Sequence, residues 1–79
     1  MAKVTFTIKD YLLVLSTGVR GWTKEVNVVS WNSRKPKLDI REWDEAHEKM
    51  GKGITLNKEE VLKLKELLNQ VDLEQMGID

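Results

Sequence analysis

Hydrophobic positions in the first half of the chain recur mostly at every second residue, and after Asn57 they recur at every third or fourth. The first spacing belongs to strands, whose side chains alternate between two faces, and the second to one stripe of a helix. In VTFTI, Val4, Phe6 and Ile8 share one face and threonines the other. YLLVLS, after Lys9 and Asp10, is nearly continuous, which implies burial on both sides or a bulge after Asp10 that changes the parity. One long bent strand or two short ones are expected from Val4 to Ser16. Thr17 to Gly21 is a turn with two glycines available for positive φ. Trp22 to Trp31 is the next strand, with Val26 and Val28 on one face and Glu25, Asn27, Val29 and Trp31 on the other. Asn32 to Pro36 is a polar, basic connection, and its proline ends the pairing because it has no N–H to donate.

Lys37 to Trp43 reads as a third strand, Leu38 and Ile40 pointing to the core and Asp39, Arg41 and Trp43 pointing away. Asp44 to Lys49 is a charged loop, and Gly51 to Leu56 a fourth strand in which Ile54 and Leu56 continue the core parity. Asn57 followed by Glu60 is a capping-box start, and Val61, Leu64, Leu68 and Val71 then fall on one helical stripe. A helix from Lys58 to about Val71 is therefore expected to lie on the Leu38/Ile40 face. Leu62 and Leu67 widen that stripe beyond the needs of one small sheet, which points to a second helix from a partner. The tail, Asp72 to Asp79, is expected to fray, with Leu73, Met76 and Ile78 able to pack loosely. The expected fold class is α+β: a four-stranded antiparallel meander followed by a C-terminal helix, in one domain over residues 1–79.

With 79 residues, the chain buries only roughly 60% of its unfolded surface, so its core is marginal without reinforcement. It has no cysteine, so self-association is the common remedy left. No run approaches the ~20 apolar residues of a membrane span, and MAKVTFTIKD is not a signal peptide, which makes the cytoplasm the expected location. The formal net charge is +0, but it is unevenly spread: eight Lys/Arg stand against three Asp/Glu up to Arg41, and five against ten thereafter. A basic sheet half and an acidic helix half follow.

Enzymatic constellations are poor. His47 is the single histidine, no serine sits in a nucleophile elbow, and Asp44, His47 and Glu48 lack the second histidine of a zinc helix. The acidic residues Glu42, Asp44, Glu45 and Glu48 read as a solvated loop. Gly51-Lys52-Gly53 is too short for a phosphate-cradling loop and opens into a strand. No cofactor, metal or small-molecule substrate is expected. The tryptophans are the sharper signal. Trp31 and Trp43 share the parity opposite the expected core, and Trp22 can reach the rim by edge twist. Around them stand Lys24, Arg34, Lys35, Lys37, Arg41, Lys49 and Lys52. Exposed rings among cations suit single-stranded nucleic acid, whose bases stack while Lys and Arg follow the phosphates, and Asn27 can bond base edges. The same residues equally suit a second core or a protein contact, because aromatics are most often packing residues.

LDIREW, then KGITL, then the capped helix resemble, in that order, the positive cofactor four family of single-stranded-DNA-binding transcriptional coactivators, nearest its small bacterial branch. The resemblance spans about Trp22 to Leu68. It implies a curved four-stranded antiparallel sheet with a C-terminal helix, a homodimer through the last strand and helix, and grooves for single-stranded DNA with little sequence preference, RNA being a further possibility. By matching position it implies that Arg41 and Lys52 meet phosphates and that Trp31 and Trp43 stack on bases. Lys24 and Asn27 fall on the groove-lining strand. Arg34, Lys35 and Lys37 lie in a connection longer than that of the eukaryotic members, and the serine-rich acidic segment of those members has no counterpart in this sequence.

Overall fold

The computed structural model of the chain describes residues 4–78; residues 1–3 and 79 of the expected domain lie outside the described residues. Strands β1 (Phe6–Thr17), β2 (Thr23–Trp31), β3 (Lys37–Trp43) and β4 (Met50–Leu56) precede one helix, α1 (Lys58–Gln70). The strands pair antiparallel in the order β1-β2-β3-β4, as expected where connections are too short for crossovers. The α+β fold is thus the one anticipated from the alternation. Helix α1 starts on the predicted capping box: Asn57 Oδ1 accepts from the Glu60 N–H at 2.9 Å, and Glu60 Oε1 accepts from the Asn57 N–H at 2.9 Å. Residues 72–78 form turns, with Asp72 Oδ1 accepting from the Glu74 N–H at 2.9 Å.

Turn chemistry closes the first two connections. Between β1 and β2 the chain reverses through Arg20 and Gly21, both at positive φ (62° and 75°). Between β2 and β3, Asn32 and Ser33 are both left-handed (φ 50° and 60°), and the Arg34 N–H donates to the Trp31 carbonyl at 2.9 Å. That double left-handed geometry matches the twist of a hairpin, and asparagine tolerates it well.

Burial falls on the opposite face from the one expected. Glu25, Asn27, Val29, Asp39 and Trp43, five of the six buried residues of β2 and β3, share one face by register, and Ser30 alone is buried on the other. Val26, Val28, Leu38 and Ile40, expected to be core, are only half-buried. The reason is β1. Its pairing with β2 slips at three places, between Ile8 and Asp10, Tyr11 and Leu13, and Val14 and Ser16. Of the two alternatives for Tyr11–Ser16, burial on both sides does not occur, since Tyr11 to Leu15 are exposed, and in place of one bulge after Asp10 three irregularities bend the strand, because each bulge adds local twist. The sheet coils until its concave face closes on itself. Trp43 registers with Thr23, eight residues from Trp31 along β2, roughly 26 Å on a straight strand. Yet the Phe6 ring centroid lies 5.9 Å from Trp31 and 5.1 Å from Trp43.

Helix α1 covers the convex side only in part. Leu38 shares an open cleft with Val61, Leu64 and Leu68, yet α1 itself contains no fully buried residue. Ile54 on β4 remains 53% exposed, and Leu62, Leu67 and Leu68 are similarly open.

Candidate nucleic-acid interface

Strand alternation delivers Asp39, Arg41 and Trp43 of β3 to the concave face, opposite Asn27, Glu25 and Thr23 of β2 and opposite Thr55, Gly53 and Met50 of β4. Arg41 is central to it. Its Nε donates to Asp39 Oδ1 at 2.6 Å, and its Nη1 reaches the Gly51 carbonyl at 3.4 Å and the Met50 sulfur at 3.7 Å. The other Asp39 oxygen, Oδ2, accepts from Thr55 Oγ1 at 3.0 Å. The Arg41 guanidinium carbon sits 4.7 Å from the Trp31 ring centroid, a cation–π geometry. Gly53 makes this possible: a Cβ there would collide with Arg41 Cβ and the Ile40 carbonyl oxygen. Gly51, Gly53 and Thr55 of the fourth strand therefore all serve the Asp39–Arg41 pair.

A second network seals the other end of the face. In the 44–49 loop, Asp44 Oδ1 accepts from the N–H groups of Glu48 (2.9 Å) and Lys49 (3.0 Å), and His47 adopts φ 56°. This swings His47 inward, its Nε2 standing 3.0 and 2.9 Å from the two Glu25 carboxylate oxygens. Its ring packs 5.7 Å from Trp43 and meets Tyr11 edge-on at 5.3 Å. Glu25 also accepts from Asn27 Nδ2 at 2.9 Å and from Thr23 Oγ1. Burial pushes the Glu25 carboxyl up, but the hydrogen bonds from Asn27 and Thr23, with the hydrogen bond and charge of His47, outweigh it, and the group ends below its ordinary value.

The concave face is consequently not the open cationic groove expected from the sequence. Trp43 is 0% exposed, under Phe6 and His47, so its ring offers no face to a nucleobase. Asn27 is 1% exposed and its amide is occupied at both ends, donating to Glu25 and accepting from the Leu12 N–H at 3.3 Å. The Asn27 amide expected to meet base edges is therefore spent within the chain. Lys24 is exposed but registers with Glu42 and alternates with the concave residues, so it lies on the helix-side face. Lys52 is exposed between Gly51 and Gly53, where the β3–β4 register slips, on the parity of Ile54. Trp22 is half-buried at the far end of β2 from Trp31, its carbonyl accepting from the Gly18 N–H at 2.7 Å. Lys49 is exposed in the 44–49 loop.

What the fold does bring together is a smaller set. Trp31 is half-buried at the end of β2, with Arg41 over its ring. Arg34, Lys35 and Lys37 follow it immediately, all exposed, and none is in a salt bridge among the described residues. A family model described as Transcriptional Coactivator p15 (PC4) matches residues 19–67. The chain belongs to that family. The p15 (PC4) family is a DNA-binding, coactivator-type and non-enzymatic one. An uncharacterized protein of Treponema pallidum (strain Nichols) is 47% identical over 60 residues, covering 76% of this chain and 71% of that protein. The p15 (PC4) match takes in β2, β3, β4 and most of α1 and leaves out β1, the strand that closes the concave face. Among the described residues no helix is long and apolar enough to cross a membrane.

Sequence reasoning placed Glu25 and Asp39 on this face without giving them a role, and it missed Phe6, His47 and Thr55 as parts of it. Asp39 carried a readable signal: two residues before Arg41 on one strand, it shares Arg41's side of the sheet. His47 carried none, because its approach to Glu25 depends on a left-handed loop conformation.

Proposed function

We propose that the protein binds single-stranded DNA with little sequence preference, in the cytoplasm, as a homodimer through β4 and α1. The carrying observation is the Trp31 ring: half-buried, braced by Arg41, and followed at once by Arg34, Lys35 and Lys37, exposed and in no salt bridge among the described residues. Unpaired bases present flat faces worth roughly 1–3 kcal/mol each when stacked on a ring, and the cations neutralise the phosphates between them. Family membership supports the same reading. Transcription, replication, repair and DNA uptake all expose such strands, and RNA is a possible competitor because stacking does not read the sugar. Trp22, Lys24, Lys49 and Lys52, outside the Trp31 and Arg34–Lys37 stretch, extend this function along a longer strand path.

The dimer is supported by the half-covered convex face, where Ile54, Leu62, Leu67 and Leu68 stay exposed and α1 has no buried residue. A partner helix laid there would remove apolar surface from water at roughly 25 cal/mol per Å². Titration of tryptophan emission with oligothymidine is expected to quench in the wild type and to lose most of its amplitude in Trp31→Ala; equal quenching in both defeats the assignment of Trp31. Light scattering is expected to give twice the 9.2 kDa chain mass, and a monomer mass at every concentration defeats the dimer.

A protein-interaction module is the second reading. It is favoured by Tyr11 to Leu15, five consecutive apolar residues 49–61% exposed on the edge strand β1. Absence of oligonucleotide binding, together with saturable binding of a protein that Leu13→Lys abolishes, selects it.

A further inference from the structure

We propose that Arg41 is a positioning residue that holds the Trp31 ring for a nucleobase, and that it is not a phosphate ligand. This rests on the single-strand reading. Nε, Nη1 and one face of the guanidinium are engaged, and Nη2 alone has no partner among the described residues. Asp39, 0% exposed, holds Nε at 2.6 Å; Gly51 O and Met50 Sδ lie near Nη1; the Trp31 ring covers the group at 4.7 Å. The Arg41 side chain is only 13% exposed. A phosphate that drew the guanidinium off the Trp31 ring would pull Nε from the buried Asp39 carboxylate, an unfavourable exchange in a low-dielectric site. The field that Arg41 presents to solvent is also largely cancelled by Asp39. Arg34, Lys35 and Lys37 face no such competition.

The supporting residues fit this role better than a phosphate clamp. Thr55 fixes Asp39 through Oδ2, so the carboxylate that aims Arg41 is itself held. Gly53 leaves room for the Arg41 side chain beside β4. The result is a column in which Phe6 and Arg41 both pack on Trp31. Arginine is suited to the task by its planar, delocalised cation, whereas lysine supplies only a point charge.

The test is a fluorescein-labelled oligothymidine titrated over a salt series with wild type, Arg41→Lys, Arg41→Ala, Lys35→Ala and Trp31→Ala. For both Arg41 variants the expected result is an affinity loss of about tenfold, the equivalent of one stacking contact, with an unchanged slope of log K against log salt. Lys35→Ala is expected to lower that slope by about 0.7, the value for one phosphate on a single strand. Arg41→Lys added to Trp31→Ala is expected to cost less than about twofold, since the two residues act through one contact. Trp31 emission of the free protein should shift in Arg41→Lys, a signature that general destabilisation, followed by thermal melting, does not produce in the folded state. The inference is overturned if Arg41→Lys retains wild-type affinity, or if Arg41→Ala lowers the slope by about 0.7. Should Arg41→Ala fail to fold, Arg41→Lys decides alone. A wild type that binds no oligothymidine defeats the single-strand reading, and this inference with it.

Discussion

The two faces of the sheet differ in how their surface is removed from water. The concave face is closed by the chain itself: β1 coils over it, the 44–49 loop folds across one end, and its charged and amide groups are paired in two networks, Asp39–Arg41–Thr55 and Glu25–Asn27–His47, while the buried indole N–H groups of Trp31 and Trp43 stay without a partner. The convex face carries the conventional apolar residues and a well-capped helix, yet stays half-open. A small domain with this division has its unique structure set by the polar, self-closed side and its unused hydrophobic area on the other. The first side governs whether the chain folds; the second side governs what it meets. The proposed strand-binding patch lies at their margin, where Trp31 and the Arg34–Lys37 turn leave the closed face.

That contrast predicts unequal costs for substitution. Trp43→Ala empties the centre of the closed face and is expected to lose about 3–5 kcal/mol, which urea unfolding will register as loss of most of the folded population. Leu68→Ala on the convex side should cost far less in a monomer; equal losses would mean that the two faces are equivalent. Asp39→Asn leaves Arg41 without its buried partner and is expected to cost about 3 kcal/mol, measured by the same unfolding curves. Thr55→Val removes only one neutral donor from Asp39 and is expected to cost about 1 kcal/mol, so the ratio of the two tests whether the ion pair dominates that network.

Acid sharpens the comparison further. Glu25 has a folded-state carboxyl below its ordinary value, so it contributes stability above its unfolded pKa, and that contribution disappears as pH falls through the folded value. Thermal melting against pH should therefore show a drop on the acid side that is smaller in Glu25→Gln. An identical acid limb in the two proteins would remove Glu25 from the account. An effect as small as that of Thr55→Val belongs to the convex side: Asn57→Ala, which removes the cap of α1, is expected to cost about 1 kcal/mol with little change in near-ultraviolet signals from the buried Trp43.

Much of the architecture was legible along the chain. Alternation located all four strands, the Asn57–Glu60 pair located the start of α1 and Pro36 marked the end of the basic connection, because these signals act between residues near one another in sequence. The family resemblance likewise rested on contiguous stretches, LDIREW and KGITL. Parity also grouped Glu25, Asn27, Trp31, Asp39, Arg41 and Trp43 correctly on one face. What it could not supply was which face would be sealed, since a period of two says that two faces differ and is silent on what covers each.

That choice belongs to the tertiary structure. Three slips in the register of β1 coil the sheet until the rings of both its ends share Phe6, a left-handed His47 reaches Glu25, and a glycine admits Arg41 beside β4. Curvature of this kind accumulates from small backbone departures spread over many residues, and no single residue announces it. The sequence by itself settled the elements, their order and the membership of each face. Only the folded chain decided that Trp43 would be enclosed, that Trp31 would stay at the rim, and that Arg41 would be engaged by Asp39, because those outcomes depend on distances between residues that alternation leaves free.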